Sequence, residues 1–571
     1  MNQIINNNSN NNSEGSINFL NYCFYVSISI FVFTLDILLT FSVISAQPTS
    51  SWSSHVPLAG SAPLFSLSHR PAAVTDFNGN LEIHTSSYST GVPQRQFLNP
   101  DGSLTEAVEY PRFQGLVNPV GTPGVSAFSP NGDRVIQWTA ANNVSSFLQY
   151  YTAEGQAGPN IINMQFSPST VVFRNNLVIA FAVSTNGSVL AKEWTVESDG
   201  TIVPRSDIPI LIQEPTTGCG AAVGINSDGS AVAIFKLGTN IRTAKRSSSG
   251  VWTVDPSIVD TQVNGCLTGG SSPQGRVVAA WYKLGYGIIE IGDNIDRGGE
   301  VVGLVREPGQ DFPIQKVVFH QAPRDTFGNS TRRAYGVTVA IGLDGTAGVA
   351  AFTSRCLNQV AESVVLLRLA GPSENFTETE NLVVPNTNSS ADVVASPQWS
   401  ATASPVLAVE NKRALVAVST STFPGVGTST SPTCGQSSGP PLNTILRQSF
   451  ASIIDRNTGQ IHTALIGSEV RQTDQPTIPG NPPLRELVAG ALDFAGNAAL
   501  VLGRTPSFLS LAGQWQSNGG NITNSPDSDG DGVSDAQELI DGTNPNDPGS
   551  FLSKLPKKWC SEWNGFLGMF N

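Results

Sequence analysis

Charge is scarce in this chain: only 13% of its 571 residues are Asp, Glu, Lys or Arg, against roughly 25% in an average globular protein. Histidine occurs five times, at His55, His69, His84, His320 and His462, and never in His-Glu-x-x-His or His-x-His spacing, so the usual catalytic zinc motifs are missing. No Cys-x-x-Cys pair occurs, which removes zinc ribbons and dithiol redox motifs, and no phosphate-binding P-loop is present. Helical periodicity is nearly absent before residue 530, because glycine and proline interrupt the candidates. Positive charge is the rarer sign, with 31 Lys+Arg against 44 Asp+Glu and a net charge of −13. A polyanion is therefore repelled over most of the surface, and nucleic acid is excluded as a partner.

Basic residues are also missing from the start of the chain, where none precedes Arg70. Asn-rich sequence around Asn6–Asn12 gives way to a run from Phe19 to Ala46 whose only charge is Asp36. Residues 1–46 read as a signal peptide or a signal anchor. The run ends in Val43-Ile44-Ser45-Ala46, with the small final residue that signal peptidase needs, so cleavage after Ala46 is preferred and Gln47 begins the mature chain. The alternative is an uncleaved anchor over residues 19–46, long enough to span a bilayer, which would be the only attachment to a membrane. Either way the remainder is extracellular or displayed at the cell surface.

Cysteine usage agrees with export. Cys23 lies in the apolar run, which leaves Cys219, Cys266, Cys356, Cys434 and Cys560. Disulfides are expected at Cys219–Cys266 and Cys356–Cys434, with Cys560 free or intermolecular, although spacing alone does not determine connectivity. Asn-x-Ser/Thr triplets at Asn143, Asn186, Asn329, Asn375, Asn388 and Asn521 would make the chain a glycoprotein in a eukaryotic secretory pathway.

What the chain does have is a recurring unit: a short Asn/Asp/Gly turn followed at once by small and β-branched apolar residues. Phe77-Asn-Gly-Asn-Leu-Glu-Ile, Ser129-Pro-Asn-Gly-Asp-Arg-Val-Ile and Asn226-Ser-Asp-Gly-Ser-Ala-Val-Ala-Ile are three instances. Eight markers, Gly79, Gly132, Asn176, Gly229, Gly275, Gly345, Lys412 and Gly496, are separated by 53, 44, 53, 46, 70, 67 and 84 residues. A period in the forties built from short strands suits a four-stranded propeller blade, whose faces must pack on neighbouring blades. The longer intervals then carry insertions, one of them the Pro/Gly/Ser stretch between Phe423 and Pro441. A further hairpin is expected at Ile453–His462. The expected fold is an all-β propeller of seven or eight blades over 47–516, resembling no particular propeller family.

After a polar linker, 517–526, the chain reads Asp527-Ser-Asp529-Gly-Asp531-Gly532-Val533-Ser-Asp535-Ala-Gln-Glu538, filling every position of D-x-D-x-D-G-x₅-E. Carboxylates on alternate residues of a tight loop converge on one hard cation. Asp527, Asp529, Asp531, the Val533 carbonyl, Asp535 and Glu538 are the expected Ca²⁺ ligands, and Gly532 permits the turn. The segment resembles thrombospondin type-3 and EF-hand-like calcium repeats over about 527–548, including the trailing Gly542-Thr543-Asn544-Pro545. No entering helix precedes the loop and Gly542 stops the exiting one, so a structural site is expected rather than a sensor. The calcium-binding repeat closes at 549, and a tail, 550–571, follows.

Catalytic signatures are weak. Gly435-Gln-Ser437-Ser-Gly439 matches G-x-S-x-G but sits in a Pro/Gly/Ser loop rather than at a strand-to-helix elbow. Asp228 and Asp344 are acids in Asp-Gly turns, where backbone reasons already account for them. No catalytic residue is assigned. The function expected from these observations is an exported calcium-binding recognition or adhesion module for an extracellular glycan or protein. The alternative is a secreted propeller-type glycoside hydrolase or polysaccharide lyase, which needs convergent acids in a central pocket.

Overall fold

Every one of the eight markers lies at positive φ, from 56° at Lys412 to 88° at Gly345. Left-handed backbone is nearly free for glycine and tolerable for asparagine, which is why these residues dominate the positions. Six of the turns share one hydrogen-bond pattern. In the first, the Asp76 amide donates to Asn80 O (3.1 Å) and the Gly79 amide to Asp76 O (3.0 Å), and the pair recurs in the turns beginning at Ser129, Asn226, Ser272, Gly342 and Asp493. The other two are two-residue turns, Asn175-Asn176 and Asn411-Lys412, with both residues at positive φ, as tight hairpins require.

The structure is a computed structural model that describes residues 52, 56–58, 72–86, 93–99, 103–110, 121–140, 146–205, 210–284, 298–313, 317–321, 332–357, 360–376, 382–383, 405–422, 444–472, 485–504 and 511–515. These are strands and turns, with no helix among them, so none offers a helix long and apolar enough to cross a membrane. Each marker turn joins the first and second strands of an antiparallel meander. The first strands are Ala72–Thr75, Gly121–Phe128, Thr170–Arg174, Gly218–Ile225, Val263–Ser271, Arg332–Ile341, Val406–Glu410 and Arg485–Leu492.

Hydrogen bonding divides the strands into seven sheets, but one of these has eight strands and contains two meanders joined through a single bridge, Gly298 to Ala334. The ring therefore has eight blades. First strands of successive blades pack on one another, and that of blade 8 packs on that of blade 1. Eight hydrophobic clusters confirm the count, one at each of the eight seams between blades. Second strands are buried on both faces, which explains their unbroken apolar runs: Leu177–Val183 is buried at all seven positions, as is Ala231–Leu237. Each fully buried large aliphatic or aromatic side chain in such a seam contributes about 1.5–3 kcal/mol.

Closure comes from both ends of the chain. Blade 8 has three strands from 485–515, and its fourth is Val56–Pro57, paired antiparallel with Leu511–Trp515 through Val56↔Ala512 and Pro57↔Leu511. A disulfide, Cys219–Cys266, joins the first strands of blades 4 and 5 across a Cα separation of 5.1 Å. The hairpin expected at Ile453–His462 is present between Thr444–Asp455 and Gln460–Gln472. Cys434, and with it the second expected disulfide, lies outside the described residues, as do the 423–443 insertion, residues 1–46 and the chain beyond 515.

Candidate functional site

An antiparallel meander sends its first and third turns to one end of the ring and its second turn and exit to the other. The two ends differ in chain length. First turns are short; the five longest connections, 58–71, 285–297, 384–405, 423–443 and 473–484, all join strands at the opposite end. The short-turn end is where described side chains form networks between blades. There Phe77, Leu343 and Phe494 bury against one another with Phe128 alongside, an apolar plug contributed by blades 1, 2, 6 and 8.

Around the plug the short-turn end splits into two sectors. Blades 6, 7, 8 and 1 hold their turns with carboxyls that accept from backbone amides. Asp76 accepts from the Asn78 and Asn80 amides (3.0 and 2.8 Å), and Asp493 from the Asn497 amide (2.7 Å). In blade 6 the position equivalent to Asp76 is Gly342, which has no side chain to give. Glu410 of blade 7 reaches across instead, accepting from the Leu343 and Asp344 amides at 2.8 and 2.9 Å. A Cβ on Gly342 would stand 2.8 Å from Glu410 Oε2, so the missing side chain makes room for the neighbour's carboxyl. Burial pushes Asp493 up to about 6 and raises Asp76. Glu410 is raised well above the carboxylate range by burial and by the adjacent Asp344.

Blades 3, 4 and 5 rely chiefly on arginines that donate to turn carbonyls, a bond that Arg413 of blade 7 also makes to Phe494 O (3.1 Å). Arg174 donates to Ile225 O (3.0 Å) and Gln274 O, and Arg246 to Gly229 O (2.6 Å). Arg276 donates to Gly371 O (2.8 Å), Gly345 O and Glu374 O, and Arg306 to Gly275 O (2.9 Å) and Gln310 O (2.6 Å). Arg246 is neutralised by Glu193 through two bonds of 2.6 Å, and Arg276 pairs with Glu307 at 2.7 Å.

Within this arginine sector, between blades 4 and 5, lies an open cleft of about 380 Å³, at the small end of the range for ligand pockets. Three turns build it. Blade 4 contributes Asn226 and Ser230 from its first turn and Lys245, Ser247, Val251 and Thr253 around its third; blade 5 contributes Gly309, Gln310 and Asp311. The Lys245 ammonium pairs with Asp311 across the mouth at 2.8 Å, both side chains substantially exposed. The turns are internally braced: the Ser247 amide donates to Val251 O and the Gly250 amide to Ser247 O, both at 2.9 Å. Val251, 61% exposed, adds the cleft's apolar contact surface.

The residues singled out from sequence are dispersed. The calcium ligands Asp527, Asp529, Asp531, Val533, Asp535 and Glu538 lie outside the described residues, as do Gly435–Gly439, His55 and His69. Asp228 accepts from Ser230 N (2.9 Å) and Ser230 Oγ (2.6 Å), closing its own turn, and Asp344 likewise accepts from Thr346 N (2.7 Å) and Thr346 Oγ1 (2.6 Å). His84 is fully buried in the blade 1–2 seam, 3.3 Å from Glu82 and 3.4 Å from the Tyr110 hydroxyl. Burial opposes charge on Glu82, but His84 and Arg134 beside it outweigh that and hold its carboxyl well below the usual range. His462 is exposed on blade 7, and Asn186 and Asn375, each the first residue of an Asn-x-Ser/Thr triplet, are exposed. Sequence reasoning missed Lys245, Gln310 and Asp311, which no motif marks. It also left unused the arginine after the turn at Arg134, Arg276 and Arg413.

Residues 527–548 match the family of the bacterial TSP3 repeat, a calcium-binding repeat. No curated protein matches the chain in sequence. Similar solved structures include the polysaccharide lyase Uly1, at 8% identity and a TM-score of 0.33 over 81% of this chain and 100% of that one. The BP39L lectin from Burkholderia pseudomallei gives 10% and 0.35 over 71% and 98%, and the Aleuria aurantia lectin 10% and 0.29 over 57% and 98%. Likenesses this remote leave ligand and reaction to be argued from the chain's own residues.

Proposed function

We propose that this protein is an exported recognition module in which the eight-bladed propeller binds an extracellular glycan and the C-terminal repeat, 527–549, binds Ca²⁺ through Asp527, Asp529, Asp531, the Val533 carbonyl, Asp535 and Glu538. The observation that carries the reading is the blade 4–5 cleft, where Lys245, Asp311, Gln310, Ser247 and Thr253 put donors and acceptors around an exposed valine on hydrogen-bonded turns. A sugar ring needs that combination: several hydrogen-bonding groups around its edge and an apolar contact for its C–H face. Because the turns are braced before the ligand arrives, little ordering cost is left for binding. The Ca²⁺ donor set, carboxylates with one backbone carbonyl, suits a hard cation of that size, and the bound ion stiffens the C-terminal segment.

The test is incubation of the purified chain, with calcium present, against a panel of extracellular polysaccharides, following retention and soluble sugar release together. Retention without release is expected. Release that survives repurification would replace this reading with the hydrolase or lyase alternative, and failure to retain any polysaccharide would direct the search to protein partners.

A further inference from the structure

Arg306 is 1% exposed and sits directly behind the cleft, bonded to two of its lining residues: Nη2 donates to Asn226 Oδ1 (2.6 Å) and Nε to Gln310 O (2.6 Å). Its remaining partner is the Gly275 carbonyl (2.9 Å), so every acceptor around it is neutral. Among the described residues no carboxylate lies within ion-pair distance of it, because the nearest acids are committed elsewhere, Glu307 to Arg276 and Asp311 to Lys245. Buried cations are ordinarily paired, since an unpaired charge in a low-dielectric setting is costly. Burial depresses the Arg306 guanidinium to about 10, against the opposing pull of the Asp311 and Glu307 carboxylates, and the nearby Arg174 adds to the depression. Arg174 is itself half-buried and donates only to carbonyls.

From this charge inventory we infer that the blade 4–5 cleft takes an acidic saccharide, one carrying a carboxylate or a sulfate ester. The inference rests on the glycan reading above. Glu193 is bonded to Arg246 and Asp311 to Lys245, which leaves Arg306 a buried cation with no carboxylate bonded to it, one hydrogen bond behind the floor. An anionic group lying against Asn226 and Gln310 supplies the missing negative charge. Lys245 turns from Asp311 to the ligand, a charge-assisted donor gained at the mouth, while Asp311 remains exposed to water. The excess is local: in a chain of net charge −13, this is a place where an acidic polymer meets attraction rather than repulsion.

The test uses the full chain with calcium and three immobilised oligosaccharide sets: polygalacturonate fragments for carboxylates, sulfated dextran fragments for sulfate esters, and neutral dextran fragments. It compares the wild type with Lys245→Ala and Asp311→Asn, two exposed positions whose replacement leaves the cores untouched. Binding to one or both acidic sets is expected, weakened about tenfold by Lys245→Ala, the size of one charge-assisted hydrogen bond. It is strengthened by Asp311→Asn and falls as salt rises. Equal response to both acidic sets means that charge is read, and preference for one set names the group. Binding to neutral dextran alone, or acidic binding that neither substitution alters, overturns the inference and leaves a glycan-binding propeller. Retention of none of the three sets overturns the inference and the glycan reading together.

Discussion

The carboxyl sector and the arginine sector solve one problem with opposite charges. A tight turn leaves amides on one side and carbonyls on the other, and a propeller that crowds its first turns around an axis must satisfy both without much water. Blades 6, 7, 8 and 1 satisfy amides with Asp344, Glu410, Asp493 and Asp76; blades 3, 4 and 5 satisfy carbonyls with Arg174, Arg246, Arg276 and Arg306. The consequences differ. A buried carboxyl can take up a proton and become neutral, whereas a guanidinium stays charged across the physiological range. The carboxyl sector is therefore pH-dependent, and the arginine sector is a permanent positive region that a ligand can use.

Removing an anchor from each sector should separate the two cases. The largest loss is expected from Arg276→Leu, which strips donors from the Gly345, Gly371 and Glu374 carbonyls and leaves Glu307 without its partner. A cost of about 3–5 kcal/mol should appear as a lower urea midpoint at every pH. Glu410→Ala leaves the Leu343 and Asp344 amides without their acceptor in a buried site, with an expected cost of about 2–4 kcal/mol. Glu410→Gln keeps an acceptor oxygen and should cost much less. Equal losses for the alanine and glutamine variants would show that an acceptor oxygen for the blade 6 amides is not what Glu410 contributes to the seam.

A folded-state pKa raised above the unfolded value stabilises the protein at low pH, and that stability is lost as pH rises through the folded pKa. Asp493, moved from 3.8 to about 6, should cost on the order of 3 kcal/mol between pH 4 and 7, with Glu410 acting in the same direction. Glu82, whose pKa is depressed, acts oppositely and loses its contribution only as pH falls below the usual carboxylate range. Thermal midpoints should therefore be higher near pH 4.5 than at pH 7.5, and Asp493→Asn should reduce the difference. An Asp493→Asn profile parallel to the wild type would contradict this. The smallest effect should be Lys245→Met, an exposed pair worth at most about 1 kcal/mol, so binding should respond to that change far more than stability does.

Much of the ring was legible beforehand and little of the cleft. The eight turn markers require positive φ, a local condition that glycine and asparagine announce in the sequence, and the markers coincide one for one with the blades. Second strands announced themselves because burial on both faces demands continuous apolar runs. The expected Cys219–Cys266 pair joins neighbouring first strands. By contrast, Glu410 acts on a turn 66 residues away in sequence, and Lys245 meets Asp311 at the same separation. Neither carries a local signature, because the partner is set by blade packing rather than by spacing. Gly342 gave the one hint: a turn that lacks the Asp, Asn or Ser present at the same position elsewhere needs its acceptor from another blade.

The most direct test of the account is a crystal structure of the protein soaked with the oligosaccharide it retains best. An ordered, uncleaved sugar is expected between blades 4 and 5, its acidic group near Asn226 and Gln310 and Lys245 turned toward it. A sugar ordered only at the long-connection end, or one found cleaved, would contradict the assignment of the arginine sector as the recognition site.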